Sequence, residues 1–471
     1  NRLPIYFTML GNPSLNRLMS WINFEKYAEH VFINQALSGT IGSKRFSKVL
    51  RWQAMSEWDK KMESIPQASD FLKFCLQNKD AFTHQDIVGS LSLLTTRRHF
   101  DLQSPLFKQY NDWILSNSSF LSAKLHLVLH RYGVLSYSPA LWKLCDLIAI
   151  KLESMKPKEI ALSGWSLAKT SVTEPVVWNE IGRIVVKRKE DFQFQDLSML
   201  SWCFAKLERR KPIEITALKE RIRNALNDWT ILVETPAHVE NGDASTQMDT
   251  LTGNIANPIF FNVHDLCTLI RAFATLTPRD INFCMLLINT LQGLIQQYHF
   301  ELTAQVELSG KGTSSLWSSV SDLQLFEGKF IEFLCEESRK LRLDHTFNGA
   351  MVTTIVKALQ KLQVLVYVCS QFCDPRIVYQ LVHWVDKNGL RLHADQVLSI
   401  AIGFFALKIF HRGAWKRLGV CISEKGIDLR LKELKLLISI FQRTEMGNDR
   451  VFGVLKHYME VKEDFHIYGP K

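Results

Sequence analysis

Apolar and polar residues along this chain repeat with the spacing of an amphipathic helix, and the pattern returns in successive segments. The two clearest copies end at Thr170 (EIALSGWSLAKT) and Leu207 (DLSMLSWCFAKL), 37 residues apart. In a twelve-residue frame the second and ninth positions are apolar or aromatic, and most fifth positions are aliphatic. Offsets of three and four place such residues on one face of an α-helix. Each copy therefore predicts an amphipathic helix of about three turns.

Other segments fit the same frame, and a further apolar face precedes the clearest copies by one helix length. The preceding helix often starts at a proline such as Pro105, Pro139, Pro175 or Pro375, because the first turn of a helix tolerates a missing N–H. A period near 37 residues is typical of helical-pair solenoids, in which each pair buries its apolar face against its neighbours. The sequence therefore predicts an all-α fold, an α-solenoid of stacked helical hairpins with a repeat of about 37 residues. The additional copies are Asp86–Arg97, Lys124–Leu135, Asp265–Leu276, Ser315–Phe326, Met351–Leu362, Gln396–Leu407 and Glu433–Thr444.

The repeat also predicts how the chain is divided. Residues 1–65 fit the frame too weakly and are interpreted as an N-terminal helical cap or extension. The solenoid of about nine units is predicted over residues 66–462, with residues 463–471 as a tail. Its last helix is predicted over Asp449–Val461.

Two insertions interrupt the period, near residues 232–261 and 298–314. Within them, Glu234–Asn257 (ETPAHVENGDASTQMDTLTGNIAN) and Ser309–Ser315 (SGKGTSS) lack apolar periodicity and are rich in small and polar residues. Both segments are therefore predicted to be exposed loops.

Composition narrows the range of partners. The formal net charge of +10 on 471 residues favours an anionic partner, either a nucleic acid or a membrane surface; the alternative is a basic protein with no such partner. No apolar run reaches the length of a spanning helix, which predicts that the chain does not insert into a membrane. The nine cysteines have no paired spacing, and Cys203 and Cys267 lie inside repeat helices. These residues are predicted to be buried thiols.

Each catalytic motif that the sequence suggests lacks a residue that the motif requires. His126 and His130 are four residues apart, but the glutamate of a zinc-protease motif is absent. Ser166 lacks the closing glycine of a nucleophile elbow, and Gly310–Lys311 lacks the first glycine of a phosphate loop. The sequence therefore predicts no catalytic residue, no metal site and no cofactor.

Positive charge recurs near the end of the first helix of each pair. Equivalent positions of a solenoid line up in space, so these side chains are predicted to form a basic rim that follows the phosphates of a single strand. A cation in the last turn of any helix also interacts favourably with the helix dipole, which is the alternative explanation. Arg209 and Arg210 are also predicted to bind RNA; they would lie on the opposite edge, where they could hold a second segment. The predicted RNA-binding residues of the rim are Lys151, Lys158, Lys187, Arg188, Lys189, Arg342, Lys387, Arg391, Lys425, Arg430 and Lys432.

Tryptophans offer a second candidate chemistry. Trp165 and Trp202 share the seventh frame position and could stack on bases if they are exposed, although tryptophan at helical spacing is more often part of a core. Trp178 and Trp415 lie on the apolar face of first helices and are predicted to be buried.

Units of this length with a second helix of the form LxxLxxAFAKL resemble the octotricopeptide and heptatricopeptide repeat proteins of organelles. The resemblance covers residues 66–462. It implies an organellar, mostly mitochondrial, protein that binds single-stranded or fragmented RNA; no RAP domain, which often follows in that family, is visible. The residues that carry it are Leu197, Leu200, Trp202, Phe204, Ala205, Lys206 and Leu207, echoed by Ile160, Trp165, Leu167, Ala168, Lys169, Leu266, Leu269, Phe273, Ala274 and Leu276.

Combined with the basic rim, the resemblance leads to one principal hypothesis. The chain is expected to be a component of the mitochondrial ribosome, in the matrix, which holds ribosomal RNA or its fragments beside neighbouring ribosomal proteins. The alternatives are an organellar factor for RNA maturation or stability, and a solenoid scaffold that binds other proteins.

Overall fold

The computed structural model confirms the predicted fold class in the part of the chain that it describes. Its regular structure there consists of α-helices and short 3₁₀ turns, without β-strands. The described residues are 57–96, 100–118, 121, 124–234, 262–300, 308–325, 328–341, 346–365, 375–447 and 449–468.

The chain divides into two compact units between Ala140 and Leu141, inside a short helix, a boundary that the repeat pattern does not predict. In the first unit α1, α3 and α5 pack in succession, and α2 packs on α4. The helices up to the boundary are α1 (Glu57–Ser64), α2 (Ala68–Asn78), α3 (His84–Thr96), α4 (Pro105–Ser116), α5 (Leu125–Leu135) and α6 (Ser138–Lys143).

Among the described residues, the second unit has seven pairs of a first and a second helix, followed by a last helix. Its first helices are α7 (Cys145–Lys151), α9 (Pro175–Lys187), α11 (Pro212–Glu234), α13 (Ile281–Phe300), α15 (Gly328–Lys340), α17 (Pro375–Asn388), α19 (Arg412–Lys425) and α21 (Asp449–Tyr468). Its second helices are α8 (Pro157–Lys169), α10 (Phe194–Lys206), α12 (Val263–Leu276), α14 (Gly310–Leu323), α16 (Gly349–Leu365), α18 (Ala394–Ala406) and α20 (Leu431–Thr444).

The second helices form one continuous layer, because each packs on the next from α8 to α20. The first helices pack likewise in the runs α7–α9–α11 and α15–α17–α19–α21. Between the layers lie the apolar frame positions, such as Leu197, Leu200 and Phe204, which are buried. Stacked helical hairpins are what the period predicts, and the second unit has this architecture.

Two tryptophans in first helices are each hydrogen-bonded to the turn that precedes their own helix. The indole N–H groups of Trp178 and Trp415 donate to the carbonyl oxygens of Val172 and Ile409, in both cases at 2.8 Å. Both rings are buried, as predicted, and contact the phenylalanine at the ninth frame position of their own or the preceding second helix. A hydrogen-bonded indole in the core satisfies the one polar group of the side chain.

Five second helices begin with a recurrent cap that the apolar pattern does not reveal. The first frame position is the third residue of the helix, and its side chain accepts the backbone N–H of the N-cap residue, which is one half of a capping box. This explains why acidic residues and glutamine recur there. The pairs are Thr83–Asp86 (2.9 Å), Lys156–Glu159 (3.0 Å), Gln193–Asp196 (3.2 Å), His393–Gln396 (3.2 Å) and Arg430–Glu433 (2.8 Å).

Six second helices also end alike, and each is followed by a left-handed residue that is not glycine. The next N–H then bonds back five residues, as from Val172 to the Leu167 oxygen (2.9 Å) and from Arg209 to the Phe204 oxygen (2.8 Å). This is the Schellman pattern, and it turns the chain into the following first helix. The left-handed residues are Ser136, Ser171, Glu208, Gln324, Lys408 and Glu445, with φ between 52° and 58°.

Glycine at one of these left-handed positions is expected to stabilise the protein. Ser171 is exposed at φ 58°, a conformation that a Cβ atom disfavours. Ser171→Gly should raise the free energy of unfolding by about 0.5–1 kcal/mol, measured by thermal or urea denaturation. The control Ser439→Gly, inside α20, should lower it by about 0.5 kcal/mol. A loss of stability from Ser171→Gly would contradict the role of this turn.

The structure corrects two sequence predictions about α14. Ser309–Ser315 is not an exposed loop, because Ser309 is the N-cap and Gly310–Ser315 begin the helix. The frame also starts at Gly312 and not at Ser315. In α8, α10, α18 and α20 the N-cap precedes the left-handed residue by 15 residues, and Ser309 and Gln324 have the same separation. The ninth frame position is apolar in both registers, Val320 in one and Leu323 in the other, and the caps decide between them.

The predictions about the last helix, the long loop, the N-terminal cap and the cysteines have different outcomes. The last helix continues to Tyr468, beyond Val461 and into the predicted tail. The predicted loop Glu234–Asn257, apart from the final residue of α11, and most of the cap over residues 1–65 lie outside the described residues. The cysteines that the structure describes are buried free thiols, as predicted.

Candidate nucleic-acid interface

Four cations of the predicted rim lie at the ends of first helices. Lys151, Lys187, Lys387 and Lys425 are each in the last turn of a first helix of the second unit. The other rim residues follow within a few positions: Arg188 caps α9, Lys189 and Arg391 are in 3₁₀ turns, Arg430 is an N-cap, and Lys158 and Lys432 are in first turns of second helices. Arg342 lies outside the described residues.

Carboxylates of the protein already pair with several rim cations. Lys187 donates to Glu153 at 2.6 Å, and Arg183 binds the same carboxylate. These hydrogen bonds, first from Lys187 and then from Arg183, hold the pKa of Glu153 below its usual range. Lys189 donates to Glu220 of the next hairpin at 2.6 Å. Such exposed pairs stabilise little, but they reduce the positive charge that this edge offers to a ligand.

Two rim cations connect neighbouring hairpins. Arg188 Nη1 donates to the carbonyl oxygens of Glu153 (3.3 Å) and Met155 (3.1 Å) in the turn between the two helices of the preceding hairpin. Lys425 Nζ donates to the equivalent carbonyls of Leu390 (3.0 Å) and Leu392 (2.9 Å). Each cation lies eight residues before the first frame position of its hairpin. Part of the recurrence of positive charge therefore reflects turn carbonyls that need donors, and not ligand binding.

Arg209, on the opposite edge, is part of a buried ion pair. Its guanidinium donates to both carboxylate oxygens of Glu214, at 2.7 and 2.6 Å, and to Asn179. The side chains are 13% and 5% exposed. Arg430 similarly binds Glu433 of its own cap, although it is exposed.

The remaining predicted cations are available to different degrees. Lys158 and Lys387 interact with neighbouring groups. The side chains of Lys151, Arg210, Arg391 and Lys432 form no hydrogen bond or ion pair with another described residue.

Arg391 lines an open cleft of about 490 Å³ between the N-termini of α16 and α18. Asn348, His393 and Gln396 contribute polar groups to the lining. Trp384 lies there too, 4% exposed, and its indole N–H has no hydrogen-bond partner.

The layer of second helices presents a more uniform surface, which we call the second-helix face. It comprises the second residue of each helix from α8 to α20 and the residues four, seven and eleven positions further on. These offsets fall on one side of a helix. All 28 positions, four on each of seven helices, are exposed or half-buried.

Positive charge dominates the second-helix face. Nine of its positions are lysine or arginine, and two are carboxylates, Asp322 and Asp395. The predicted residues Lys158 and Lys432 belong to it. The others were not among the predicted residues, although they lie on the polar side of the same twelve-residue frame. The nine cations are Lys158, Lys169, Lys206, Arg271, Lys311, Lys357, Lys361, Lys432 and Arg443.

One carboxylate on this face links three successive helices. Asp322 of α14 binds Arg271 of α12 and, at 2.6 Å, Lys361 of α16. Partial burial opposes ionisation, but the hydrogen bonds from Lys361 and Arg271 outweigh it and lower the pKa of Asp322. Asp322 thereby fixes neighbouring cations in register along the layer.

Two half-buried tryptophans complete the surface. Trp165 and Trp202 occupy equivalent positions of α8 and α10, which pack on each other. The Lys169 ammonium lies 4.9 Å from the centroid of the Trp165 ring, a cation–π contact. Trp178 and Trp415, in contrast, are almost completely buried.

The described residues show no group of three or more histidines, cysteines or acids that could hold a metal ion. Within the same residues, no helix combines the length and apolar character needed to cross a bilayer. Burial raises the pKa of the Cys267 thiol to about 12, which makes it a poor nucleophile at neutral pH.

No protein-family model matches this chain, and no curated protein matches its sequence. Among solved structures, the chain is similar to one described as a homology model of the full-length AP-3 complex in an intermediate open conformation. The two are 10% identical with a TM-score of 0.28, over 84% of this chain and 62% of that chain. The chain thus spans less than two thirds of the length of that neighbour, and a similarity this low supports no inference about function.

Proposed function

We propose that this protein is an RNA-binding α-solenoid that holds the phosphate backbone of RNA on its second-helix face. The observation that carries the proposal is the charge on this face, where nine cations and two carboxylates share 28 positions. A row of cations on successive helices suits a polyanion, because each neutralised phosphate releases condensed counterions. The rim supports binding less directly, since Lys187, Arg188, Lys189 and Lys425 already bind groups of the protein.

The biological setting follows from the resemblance to octotricopeptide and heptatricopeptide repeat proteins. We propose a mitochondrial protein of the matrix, a component of the ribosome that holds ribosomal RNA or its fragments beside neighbouring ribosomal proteins. Recovery of the tagged protein from mitochondria, with sequencing of crosslinked RNA, tests this. Ribosomal RNA is expected; precursor transcripts would instead indicate a maturation or stability factor, and protein partners without RNA a scaffold.

Salt dependence tests RNA binding itself. The affinity of the full chain for a 20-nucleotide single-stranded RNA should fall steeply between 50 and 200 mM salt. Four to six phosphate contacts predict a slope of log K against log salt of about −3 to −4. Filter binding or fluorescence anisotropy measures it. Absence of binding at 50 mM salt, or an affinity that does not depend on salt, would remove the proposal.

A further inference from the structure

We infer that α8 and α10 form a nucleobase-stacking platform, on which unpaired bases of RNA stack against Trp165 and Trp202 while Lys169 and Lys206 contact the flanking phosphates. This inference rests on the proposed function, because it assigns a chemical role to one end of the second-helix face. It also predicts that the protein prefers single-stranded RNA, whose bases are free to stack, to duplex RNA.

The positions of the two tryptophans support this role. Both lie at the same position of adjacent, directly packed helices, and both are half-buried. The buried indoles of Trp178, Trp317 and Trp415 donate hydrogen bonds inside the protein and contribute to the core. Trp165 and Trp202 instead stand on the face that carries the cations.

Around the rings, the remaining side chains complete a stacking surface. Leu162 and Met199, one turn earlier on the same face, are also half-buried and extend the apolar area. Lys169 and Lys206 follow the tryptophans by four residues, so each ring has a cation one turn away. The contact between Lys169 and the Trp165 ring shows that an ammonium group reaches the ring. An apolar ring with a neighbouring cation suits the base and phosphate of a nucleotide.

The rest of the face lacks this chemistry. At the two central positions α12 carries Thr268 and Arg271, and α16 carries Thr354 and Lys357. Apart from the imidazole of His264, the second residue of α12, no aromatic side chain occupies any of the four face positions on the other five helices; the two central ones on α14, α18 and α20 are Ser315 and Ser318, Ser399 and Ile402, and Leu436 and Ser439. Bases are therefore held at α8 and α10, and beyond them the face contacts phosphates alone.

A membrane surface would also attract tryptophan and lysine, but the surrounding residues disfavour it. An interfacial helix needs a large apolar face. Most central positions of this surface are serine, threonine, lysine or arginine. RNA is the ligand that this composition favours.

The experiment compares single-stranded oligouridine, an abasic sugar–phosphate strand of equal length and an RNA duplex, each binding the full chain. Trp165→Ala and Trp202→Ala should each weaken oligouridine binding by about 5- to 150-fold, the usual loss for one stacked base. The salt slope should not change, because no phosphate contact is removed. Duplex affinity should also stay the same. The matched control is Trp142→Ala, 44% exposed and outside the second-helix face, which should bind oligouridine as the unchanged protein does.

The abasic strand keeps the test valid even if an alanine variant folds poorly. It retains every phosphate and has no base, so the unchanged protein should bind it as weakly as the double variant binds oligouridine. Trp165→Phe with Trp202→Phe should restore most of the affinity. Equal binding of oligouridine and the abasic strand by the unchanged protein would overturn the platform but leave the proposed function standing. Binding to anionic lipid vesicles without binding to any RNA would overturn both.

Discussion

Replacing Lys206, Lys357 and Arg443 with glutamine is expected to weaken binding of single-stranded RNA by about 100-fold at 100 mM salt. All three side chains are exposed on the second-helix face, on α10, α16 and α20. Each phosphate contact to a single strand adds about 0.7 to the exponent with which affinity depends on salt. At 100 mM salt this is a factor of about 5 in affinity relative to 1 M salt. The loss of three contacts therefore multiplies three such factors to about 100-fold in affinity. It also reduces the slope of log K against log salt by about 2.

The control for this variant removes the same charge from the layer of first helices. Arg412→Gln, Lys416→Gln and Lys456→Gln change exposed cations of α19 and α21, so the net charge falls equally. Fluorescence anisotropy with a labelled 20-nucleotide RNA, over a series of salt concentrations, measures both variants. If both lose the same affinity, net charge alone controls binding and the second-helix face is not the site.

The largest expected loss of stability comes from Arg209→Met. This substitution leaves Glu214 buried, 5% exposed, without its two hydrogen bonds from the guanidinium. Leaving one partner of a buried ion pair unpaired typically costs about 3–5 kcal/mol, and we expect about 3 kcal/mol because Lys211 still lies 4.0 Å from the carboxylate. The Glu214 carboxylate also packs directly against Gly182, where a Cβ atom would overlap it.

Urea denaturation measures this change, and the neighbouring residue provides the control. Arg210 is exposed and unpaired among the described residues, so Arg210→Met should alter the free energy of unfolding by less than about 0.5 kcal/mol. Glu214→Gln combined with Arg209→Met should cost less than the sum of the single changes, because it removes the buried charge. The folded fraction of the Arg209 variant should keep its RNA affinity. A loss of affinity at unchanged stability would instead place Arg209 in the binding site.

The helices could be predicted from the sequence because the apolar pattern that determines them is local. Apolar residues at offsets of three and four make one side of a helix unstable in water, so the pairs over Pro175–Lys206 and Arg412–Thr444 are visible without a structure. The segment around α14 was misplaced because its apolar residues fit two registers. There the N-cap Ser309 and the left-handed Gln324 decide, and both are backbone features that hydrophobicity does not report.

The candidate interface was only partly predictable because its chemistry joins residues one repeat apart. Lys187 and Glu153 are 34 residues apart, and Lys425 and the Leu392 carbonyl are 33 apart. Charge counting treats such a lysine as available, although stacking of the hairpins gives it a partner. Conversely, Lys206 and Lys357 look like scattered charges in the sequence and share a face only because their helices belong to one layer.

The sequence by itself determined that this protein is a stack of helical hairpins, which side of each helix is buried, and that positive charge is in excess. These properties depend on neighbours within one or two turns and on composition. Only the tertiary structure decided which cations bind the protein's own carboxylates and carbonyls, and which remain on a common surface. The physical reason is that hydrogen bonds between hairpins depend on how one repeat stacks on the next, and this stacking brings together side chains that are far apart in the chain.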